Sequence, residues 1–378
     1  MKILHLYKDY YPVIGGIENH VRLLAEGQVA RGHEVEILVT NSSFKSQQQM
    51  LNGVKVTKIG RWAHFASTPL TPLYPLHLYR RLLSSPPDII HLQMPYPLSE
   101  VSWLVASIFK SKTRCVITYQ SDVVKQKNIM RFYAPIMRRV LKSADVIIAT
   151  SPNYIQTSAF LKPFEPKCRV IPLGIYNEPY HHSDPAQVAQ IKARYNTPLI
   201  LFVGRLRYYK GLNYLIQSML EVPPPAHLLI IGRDGVENAL HTQCRDLGLD
   251  SRVTFLPDIS DADLPAYYNA CDIFVLPSAE RSEAFGLVLV EAMASGKAVI
   301  SAELGTGTSY VNQDGITGLV VPPADATALA GACNYLLTNP ILRQRLGAQG
   351  RERALVEFSA EMLLNRIMTI YEDILKTS

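Results

Sequence analysis

Two glutamates stand eight positions apart in the second half of the chain, Glu283 and Glu291, and the segment Ala284-Phe285-Gly286-Leu287 follows the first of them. A pair of carboxylates can serve as an acid/base dyad, or it can accept hydrogen bonds from the hydroxyl groups of a sugar. The alternative is that both are ordinary helix residues, one favoured by the helix dipole and one solvated. Because Glu291 lies among apolar residues, solvation is the weaker interpretation for it.

A strand and a helix must position this pair. The apolar run Ile273–Leu276 predicts a strand, and Phe285–Ala294 is typical of a helix that starts soon after it. With about 3.6 residues per turn, the two glutamates would lie about 80° apart around the helix axis and could face one cleft. The backbone N–H groups of Phe285, Gly286 and Leu287 would then be free for phosphate or sugar oxygens.

A second candidate site is the loop Gly204–Gly211, which follows the apolar run Leu199–Val203 and precedes an expected helix. Arg205 and Lys210 stand five positions apart in it and could bind a diphosphate, since arginine offers a planar fork of donors and lysine a point charge. The loop lacks the GxxxxGK[ST] pattern of a P-loop. A charged surface loop without a ligand is the alternative.

Gly15 and Gly16 follow the first predicted strand and open the first predicted helix. Glycines at this place let a ligand approach the backbone, and a helix N-terminus favours an anion. A tight turn without a ligand explains them about as well.

Metal binding is not expected. Asp261 and Asp263 resemble a metal-binding DxD pair, but they precede an expected helix at 264–270, where capping is the better explanation. The five cysteines are scattered without a CxxC pair, which predicts free thiols in a reducing compartment.

The order of predicted elements indicates an α/β protein with two doubly wound, Rossmann-like domains that face each other across a cleft. Strands and helices alternate in the first half, and the pattern starts again at Leu199 after a polar, proline-containing linker at 175–185. We predict domains at 1–178 and 190–358, with the C-terminal helix 360–378 packing back on the first. Ligands would bind at the carboxyl ends of the strands.

Charge is distributed unevenly. Residues 1–180 hold 22 Lys and Arg against 11 Asp and Glu, whereas the rest of the chain is net acidic. Segment 125–142 is both basic and amphipathic, which suits an anionic membrane surface, although a solvated helix face explains it equally well. With no signal peptide and no apolar run of about 20 residues, we expect a cytoplasmic protein that is soluble or peripheral at the inner face of the membrane.

Taken together, these motifs resemble glycosyltransferase family 4, which has the two-domain GT-B fold. The resemblance also rests on Ile171-Pro172-Leu173-Gly174 and on Gly315-Ile316-Thr317-Gly318, and it extends over nearly the whole chain. Mannosyltransferase-like members that build bacterial surface polysaccharides are the most similar. The resemblance implies transfer of a hexose, with mannose from GDP-mannose favoured, to a glycan or lipid-linked acceptor, with retention of anomeric configuration and without a metal.

The resemblance also implies roles for individual residues. Glu283, Arg205 and Lys210 would serve catalysis, the two cations by neutralising the departing nucleoside diphosphate. The implied donor-binding residues are Gly15, Gly16, Gln120, Asp122, Leu256, Pro257, Asp258, Phe285, Gly286, Leu287 and Glu291, the last at the ribose. No cofactor and no nucleic-acid partner are expected.

One position departs from the family pattern. Related sequences often have His-Ser-Asp where this chain has Gln120-Ser121-Asp122, and glutamine cannot become cationic. A catalytically weak nucleotide-sugar-binding protein is therefore one alternative. A GT-B epimerase or phosphorylase is another.

Overall fold

The protein is described by a computed structural model, which covers residues 1–378 except 14, 66–67, 110–111, 123–126, 234, 258 and 377–378. The chain divides into two compact units. Unit 1 comprises Met1–Leu173 and Leu363–Ser378, and unit 2 comprises Gly174–Met362. Among the described residues, no helix is long and apolar enough to cross a membrane.

Unit 1 is built on a mostly parallel sheet. Its elements are β1 (Lys2–Leu6), α1 (Gly16–Ala30), β2 (Glu34–Thr40), β3 (Gln47–Leu51), β4 (Val54–Ile59), β5 (Ala63–Phe65), β6 (Thr68–Leu70), α2 (Tyr74–Ser84), β7 (Ile89–Met94), α3 (Pro97–Ala106), β8 (Arg114–Tyr119), α4 (Lys127–Ser143), β9 (Val146–Ala149), α5 (Pro152–Thr157) and β10 (Cys168–Val170). In the described part of the unit the strand order is β10-β9-β8-β7-β1-β2-β4-β3, and only β3 runs antiparallel to its neighbour. The order reverses between β1 and β7, which makes the sheet doubly wound.

The last helix of the chain, α15 (Ala360–Lys376), joins unit 1 from Leu363 onward. Polar groups help to fix it there, since Tyr371 Oη lies 2.6 Å from His91 Nδ1 in the buried centre of the sheet. The other ring nitrogen of His91 lies 2.6 Å from Thr118 Oγ1 on β8. Buried polar groups cost free energy unless they are paired, so this chain of hydrogen bonds specifies where α15 docks.

Unit 2 has the strand order of a dinucleotide-binding fold. Its elements are α6 (Glu178–His181), α7 (Pro185–Tyr195), β11 (Leu199–Val203), α8 (Leu212–Ser218), β12 (His227–Ile231), α9 (Glu237–Asp246), β13 (Val253–Leu256), α10 (Leu264–Ala270), β14 (Ile273–Leu276), α11 (Leu287–Ala294), β15 (Ala298–Ala302), α12 (Thr308–Val311), β16 (Gly318–Val321), α13 (Ala326–Thr338) and α14 (Pro340–Glu357). All described strand pairs are parallel, in the order β13-β12-β11-β14-β15-β16. The order reverses between β11 and β14, where open α/β sheets bind their ligands.

The central strands of unit 2 are apolar along their whole length because helices cover both faces of a parallel sheet. Every residue of β11 and β14 is buried. Helix α11, with the sequence LVLVEAMA, is apolar on all sides, as expected of a buried helix. Glu291 is the one charged residue that it carries, and this isolation marks it as a functional candidate.

Candidate active site

The loop after β11 places Lys210 at the point where the strand order reverses. Gly211, the N-cap of α8, has φ +68°, a left-handed conformation that favours glycine. Lys210 itself is only 8% exposed, while Arg205 in the same loop is exposed. The two cations expected in this loop therefore differ in their surroundings.

The loop after β14 supplies the partner of Lys210. Glu283 is buried, and its carboxylate forms a short ion pair with Lys210 Nζ. Ser278 Oγ donates a second hydrogen bond to the same carboxylate oxygen at 3.0 Å. Burial alone would lower the pKa of Lys210, but the charge and hydrogen bond of Glu283, together with Tyr209 and Glu291, outweigh it, so the net effect raises the pKa above its usual value. Lys210 thus stays cationic in a buried site.

A third loop, after β15, supports the second one. Thr306 Oγ1 donates to the backbone carbonyl of Glu283 at 2.8 Å, and the Gly307 N–H donates to Ala284 O at 2.8 Å. Arg281 Nη1 donates in the opposite direction, to the carbonyls of Leu304 and Gly305 at 3.2 and 3.1 Å. The loop after β15 therefore holds the loop of Glu283 by hydrogen bonds on both sides of this residue.

Glu283 and Glu291, the two glutamates eight positions apart, do not lie on the same helix. The sequence predicts a helix over Phe285–Ala294, but α11 begins at Leu287 because Gly286 adopts a left-handed conformation with φ +80°. Glu283 thus precedes the helix, and the expected 80° angle around a shared axis was wrong. Both carboxylates nevertheless act on the charge of Lys210, which links them electrostatically.

Glu291 is held by the phenol of Tyr268. Tyr268 Oη donates to Glu291 Oε2 at 2.7 Å, and the ring of Tyr180 packs edge to face on the ring of Tyr268 with centroids 5.7 Å apart. Burial raises the pKa of Glu291 to about 7, against the opposing effect of the hydrogen bond from Tyr268. The group therefore titrates near neutral pH.

The remaining donor-site candidates of unit 2 belong to the elements around this centre. Phe285 is buried and Leu287 is the first residue of α11. Leu256 ends β13, which is separated from β14 by two strands, and Pro257 after it is exposed. Asp258 lies outside the described residues.

Four predicted site residues belong to unit 1. Gly15 is the N-cap of α1, and Gly16 opens the helix with no atom within 4 Å of the place where a side chain would start. Gln120 is buried, and its Nε2 donates to Gln93 Oε1 at 3.0 Å. The Asp122 carboxylate accepts hydrogen bonds from Tyr119 and Ser158 at 2.8 and 2.7 Å.

The DxD pair has a structural role, although not quite the predicted one. Asp263 occupies the N-cap position of α10, but its side chain makes no capping hydrogen bond. It accepts instead from Ser260 Oγ at 2.7 Å and from Gln187 Nε2 at 3.2 Å. Capping in the strict sense was therefore wrong, because Ser260 competes for the carboxylate. Within the described ranges, no group of three or more His, Cys, Asp or Glu side chains is placed to hold a metal ion.

Sequence reasoning missed four residues that complete the site: Ser278, Thr306, Tyr180 and Tyr268. Thr306 lies between Gly305 and Gly307, a glycine pattern that marks a tight turn, and Ser278 closely follows a buried strand, so both had a local signal. The tyrosines had none, since the contacts of Tyr180 with Tyr268 and of Tyr268 with Glu291 depend on how α6, α10 and α11 pack together.

The chain matches known protein families and individual proteins along its length. Residues 14–178 match the family model "Glycosyltransferase Family 4", and residues 183–353 match "Glycosyl transferases group 1". The chain is 34% identical to O-antigen chain mannosyltransferase C of Escherichia coli over 378 residues, which is 100% of both chains. The chain belongs to glycosyltransferase family 4.

This glycosyltransferase is also 33% identical to D-rhamnosyltransferase WbpZ of Pseudomonas aeruginosa over 363 residues, covering 95% of this chain and 93% of that protein. Among solved structures, sucrose-phosphate synthase from Thermosynechococcus elongatus matches with a TM-score of 0.83 and 24% identity over 100% of both chains. The fold class predicted from the sequence, GT-B with two Rossmann-like domains, is confirmed by this likeness. The family matches confirm a hexosyltransferase of the family 4 type.

Proposed function

We propose that this glycosyltransferase binds a nucleoside-diphosphate sugar at the carboxyl edge of β11 and β14 and transfers its hexose with retention of configuration, without a metal ion. The observation that supports this most directly is the buried pair of Lys210 and Glu283, contributed by the two loops that flank the point where the strand order reverses. This is the ligand-binding position of an open α/β sheet.

Lys210 and Arg205 supply the positive charge that the departing nucleoside diphosphate needs. A cation in a buried site stabilises developing negative charge far more than one in water does. Lys210 is buried and stays protonated because Glu283 raises its pKa, and Arg205 lies exposed in the same loop, where an entering phosphate can reach it. In this proposal, Glu283 keeps Lys210 charged and oriented.

The start of α11 binds the other donor atoms. Gly286 is left-handed and Leu287 opens the helix, so their backbone N–H groups are available to phosphate or sugar oxygens near the buried ring of Phe285. The carboxylate of Glu291 accepts from the ribose hydroxyls. Leu256, Pro257 and Asp258 are assigned to the base.

Residues of unit 1 are also assigned to the donor in this proposal. The open backbone at Gly15 and Gly16 admits a phosphate to the N-terminus of α1. Gln120 and Asp122 are assigned to the donor sugar. Gln120 differs from the histidine of many relatives in remaining neutral, so it orients the sugar by hydrogen bonding only.

We propose retention of the anomeric configuration from the same arrangement of residues. The acceptor hydroxyl attacks the anomeric carbon on the face that the diphosphate leaves, and its proton passes to a departing phosphate oxygen. Neither glutamate is needed as a nucleophile, because Glu283 is paired with Lys210 and Glu291 is held by Tyr268.

The relatives favour particular substrates. The names of the two curated relatives specify mannosyl and D-rhamnosyl transfer, and D-rhamnose is the 6-deoxy form of mannose. We infer that the donor is GDP-mannose and the acceptor a glycan or a lipid-linked glycan. No cofactor and no nucleic-acid partner enter this proposal.

A thermal-shift titration with donors tests this choice. GDP-mannose at saturating concentration is expected to raise Tm more than UDP-glucose, UDP-galactose or UDP-GlcNAc, since a ligand that binds only the folded state stabilises it. GDP-D-rhamnose serves as the close competitor. A larger shift with any UDP-sugar would overturn the choice of GDP-mannose.

An anionic membrane is the second proposed partner, through 125–142 and the helices beside it. Helices α2, α3 and α4 pack side by side, and the described parts of this region expose apolar residues. The most exposed of these, at 79%, 76% and 59%, are Phe132, Ile108 and Leu83. A cytoplasmic, peripheral location follows from this proposal.

The charges in the sequence around these apolar residues are mostly positive. Residues 61–144 contain twelve Lys and Arg but three Asp and Glu. Glu100 is the one acidic residue in the sequences of the three helices, and it is buried, accepting from the Tyr96 N–H at 2.7 Å and from Tyr133 Oη. Exposed apolar groups among cations suit the headgroup region of an anionic bilayer.

Reversing two of these charges is expected to weaken vesicle binding by about tenfold or more, because each basic residue near an anionic surface contributes roughly 1 kcal/mol. The variant is Arg138→Glu/Arg139→Glu, and the matched control is Lys192→Glu/Arg194→Glu on the exposed side of α7 in unit 2. Co-sedimentation with phosphatidylcholine vesicles containing phosphatidylglycerol measures the effect. Equal loss in both variants, or equal binding to pure phosphatidylcholine, would contradict the proposal.

A further inference from the structure

Gln93 lies near the carboxyl end of β7, beside a residue that we assign to the donor sugar. Strands β7 and β8 are parallel, and Gln93 pairs in register with Thr118, two residues before Gln120. Gln120 Nε2 donates to Gln93 Oε1 at 3.0 Å. The two side chains are 0% and 4% exposed. Gln93 therefore supports Gln120 from inside unit 1.

The amide of Gln93 is only partly satisfied. Its Nε2 atom has no hydrogen-bond partner within the residues that the structure describes. A buried donor without an acceptor costs free energy, which an apolar side chain of similar shape would avoid. Gln93 is thus a poor choice for stability, and its amide oxygen is bonded to a residue of the proposed donor site. Local violations of this kind are expected at functional sites.

The backbone beside Gln120 is fixed by other contacts. The Gln120 N–H donates to Met94 O at 2.9 Å. Two residues further on, the Asp122 N–H donates to Tyr154 Oη at 2.7 Å, and the Asp122 carboxylate accepts from Ser158 Oγ at 2.7 Å. With the backbone held in this way, the side-chain amide of Gln120 is the part that still needs to be oriented, and the hydrogen bond to Gln93 does so.

We propose that Gln93 is a positioning residue of the donor site, which holds the amide of Gln120 in the orientation that binds the donor sugar. With Nε2 of Gln120 engaged by Gln93, Oε1 of Gln120 is the atom that accepts from a sugar hydroxyl. A side chain that is already oriented loses less conformational entropy on binding. This proposal rests on the sugar role proposed for Gln120.

A double-mutant cycle tests whether Gln93 acts through Gln120. Methionine is close to glutamine in length but cannot replace the amide. Gln93→Met is expected to lower kcat/KM for transfer about three- to tenfold, the usual size of one neutral hydrogen bond. In a Gln120→Met background, the same substitution should have no further effect, because the two residues act as one unit. Steady-state transfer by the full-length protein, with the donor that gives the largest thermal shift, measures all four proteins.

The chain offers a matched control in Gln28 on α1. Its side chain is also completely buried, its Oε1 lies 2.8 Å from His5 Nε2, and its Nε2 likewise has no partner among the described residues. It differs from Gln93 in having no contact with Gln120 in this structure. Gln28→Met should therefore leave kcat/KM at the wild-type value.

Two further readouts separate positioning from packing. The Tm of Gln93→Met should equal or exceed that of the wild type, because the unpartnered buried donor is gone. Calorimetry should show unchanged affinity for the nucleoside diphosphate alone, which lacks the sugar. A matching loss of this affinity in Gln93→Met would show general damage to the site and contradict the proposal.

The cycle also distinguishes failure of the role of Gln93 from failure of the role of Gln120. Wild-type kcat/KM in Gln120→Met would overturn the sugar role on which the proposal rests. A loss in Gln120→Met beside wild-type kcat/KM in Gln93→Met would overturn the role of Gln93 alone. Independent losses that multiply in the double variant would show that Gln93 does not act through Gln120, and so would also overturn it.

Discussion

Lys210→Ala is expected to lower kcat for glycosyl transfer by about 10²–10³-fold, the usual effect of removing one electrostatic contact to a transition state. The physical reason is that the amino group is buried, remains charged because of Glu283, and lies at the loop where the leaving diphosphate is proposed to bind. Steady-state transfer with saturating donor measures the change. Lys192→Ala, an exposed lysine on α7, is the matched control and should keep wild-type turnover.

Removal of Lys210 also leaves Glu283 buried without its cation, which typically costs about 3–5 kcal/mol of stability. The double variant Lys210→Ala/Glu283→Gln separates folding from chemistry. We expect it to regain much of the thermal stability, since no uncompensated charge remains, but none of the activity. Recovery of turnover in the double variant, or full turnover in Lys210→Ala, would show that the pair is merely structural.

Gly211→Ala is expected to lower the free energy of unfolding of unit 2 by about 2–5 kcal/mol. Two effects add: a left-handed residue with a side chain costs roughly 1–2 kcal/mol, and forcing extra atoms into a packed region costs about 1–3 kcal/mol. The new Cβ would lie 2.1 Å from the carbonyl oxygen of Pro277, which is backbone and cannot rotate away. The clash displaces the loop of Lys210 from the loop of Glu283, so transfer should also fall.

The chain contains a close control for this prediction. Gly248 has φ +67°, almost equal to the +68° of Gly211, but no atom lies within 4 Å of the point where its Cβ would be added. Gly248→Ala should therefore cost only the left-handed strain, about 1 kcal/mol, and leave transfer unchanged. Urea unfolding of both variants gives the comparison, and equal losses of stability would contradict the assigned contact.

The strands around the site could be predicted from the sequence because parallel central strands are continuous apolar runs. Leu199–Val203 and Ile273–Leu276 were predicted as apolar runs with the bounds that the structure shows for β11 and β14. The loops that follow them were located for the same reason. In an α/β fold, the loops at the carboxyl ends of the strands are therefore the site elements that sequence patterns locate best.

Long-range contacts could not be predicted in the same way. The sequence pattern includes Gly286 in a helix, but its left-handed backbone depends on packing beside Leu276 and Leu289. The pairing of Glu283 with Lys210 joins residues 73 positions apart, and no local pattern encodes it. Composition alone places Tyr180 in a polar linker, although its ring packs against Tyr268 of α10.

Several elements of unit 1 were also missed. Strand β4, Val54–Ile59, shows the alternation VKVTKI and had a readable signal. Helix α3 begins at a proline and exposes Val101 and Val105, so its amphipathic pattern is weak toward solvent. Helix α2 does alternate buried and exposed sides, and this readable signal was overlooked.

The most direct test of the proposed reaction is the configuration of the product formed from GDP-mannose in the presence of EDTA. Octyl α-D-mannopyranoside and octyl β-N-acetylglucosaminide serve as acceptors, and the one-bond C1–H1 coupling in the NMR spectrum identifies the new linkage. We predict an α-mannosyl product, formed at a rate that added Mg²⁺ does not change. A β-linked product, a reaction that requires added metal, or release of free mannose as the sole product would contradict it.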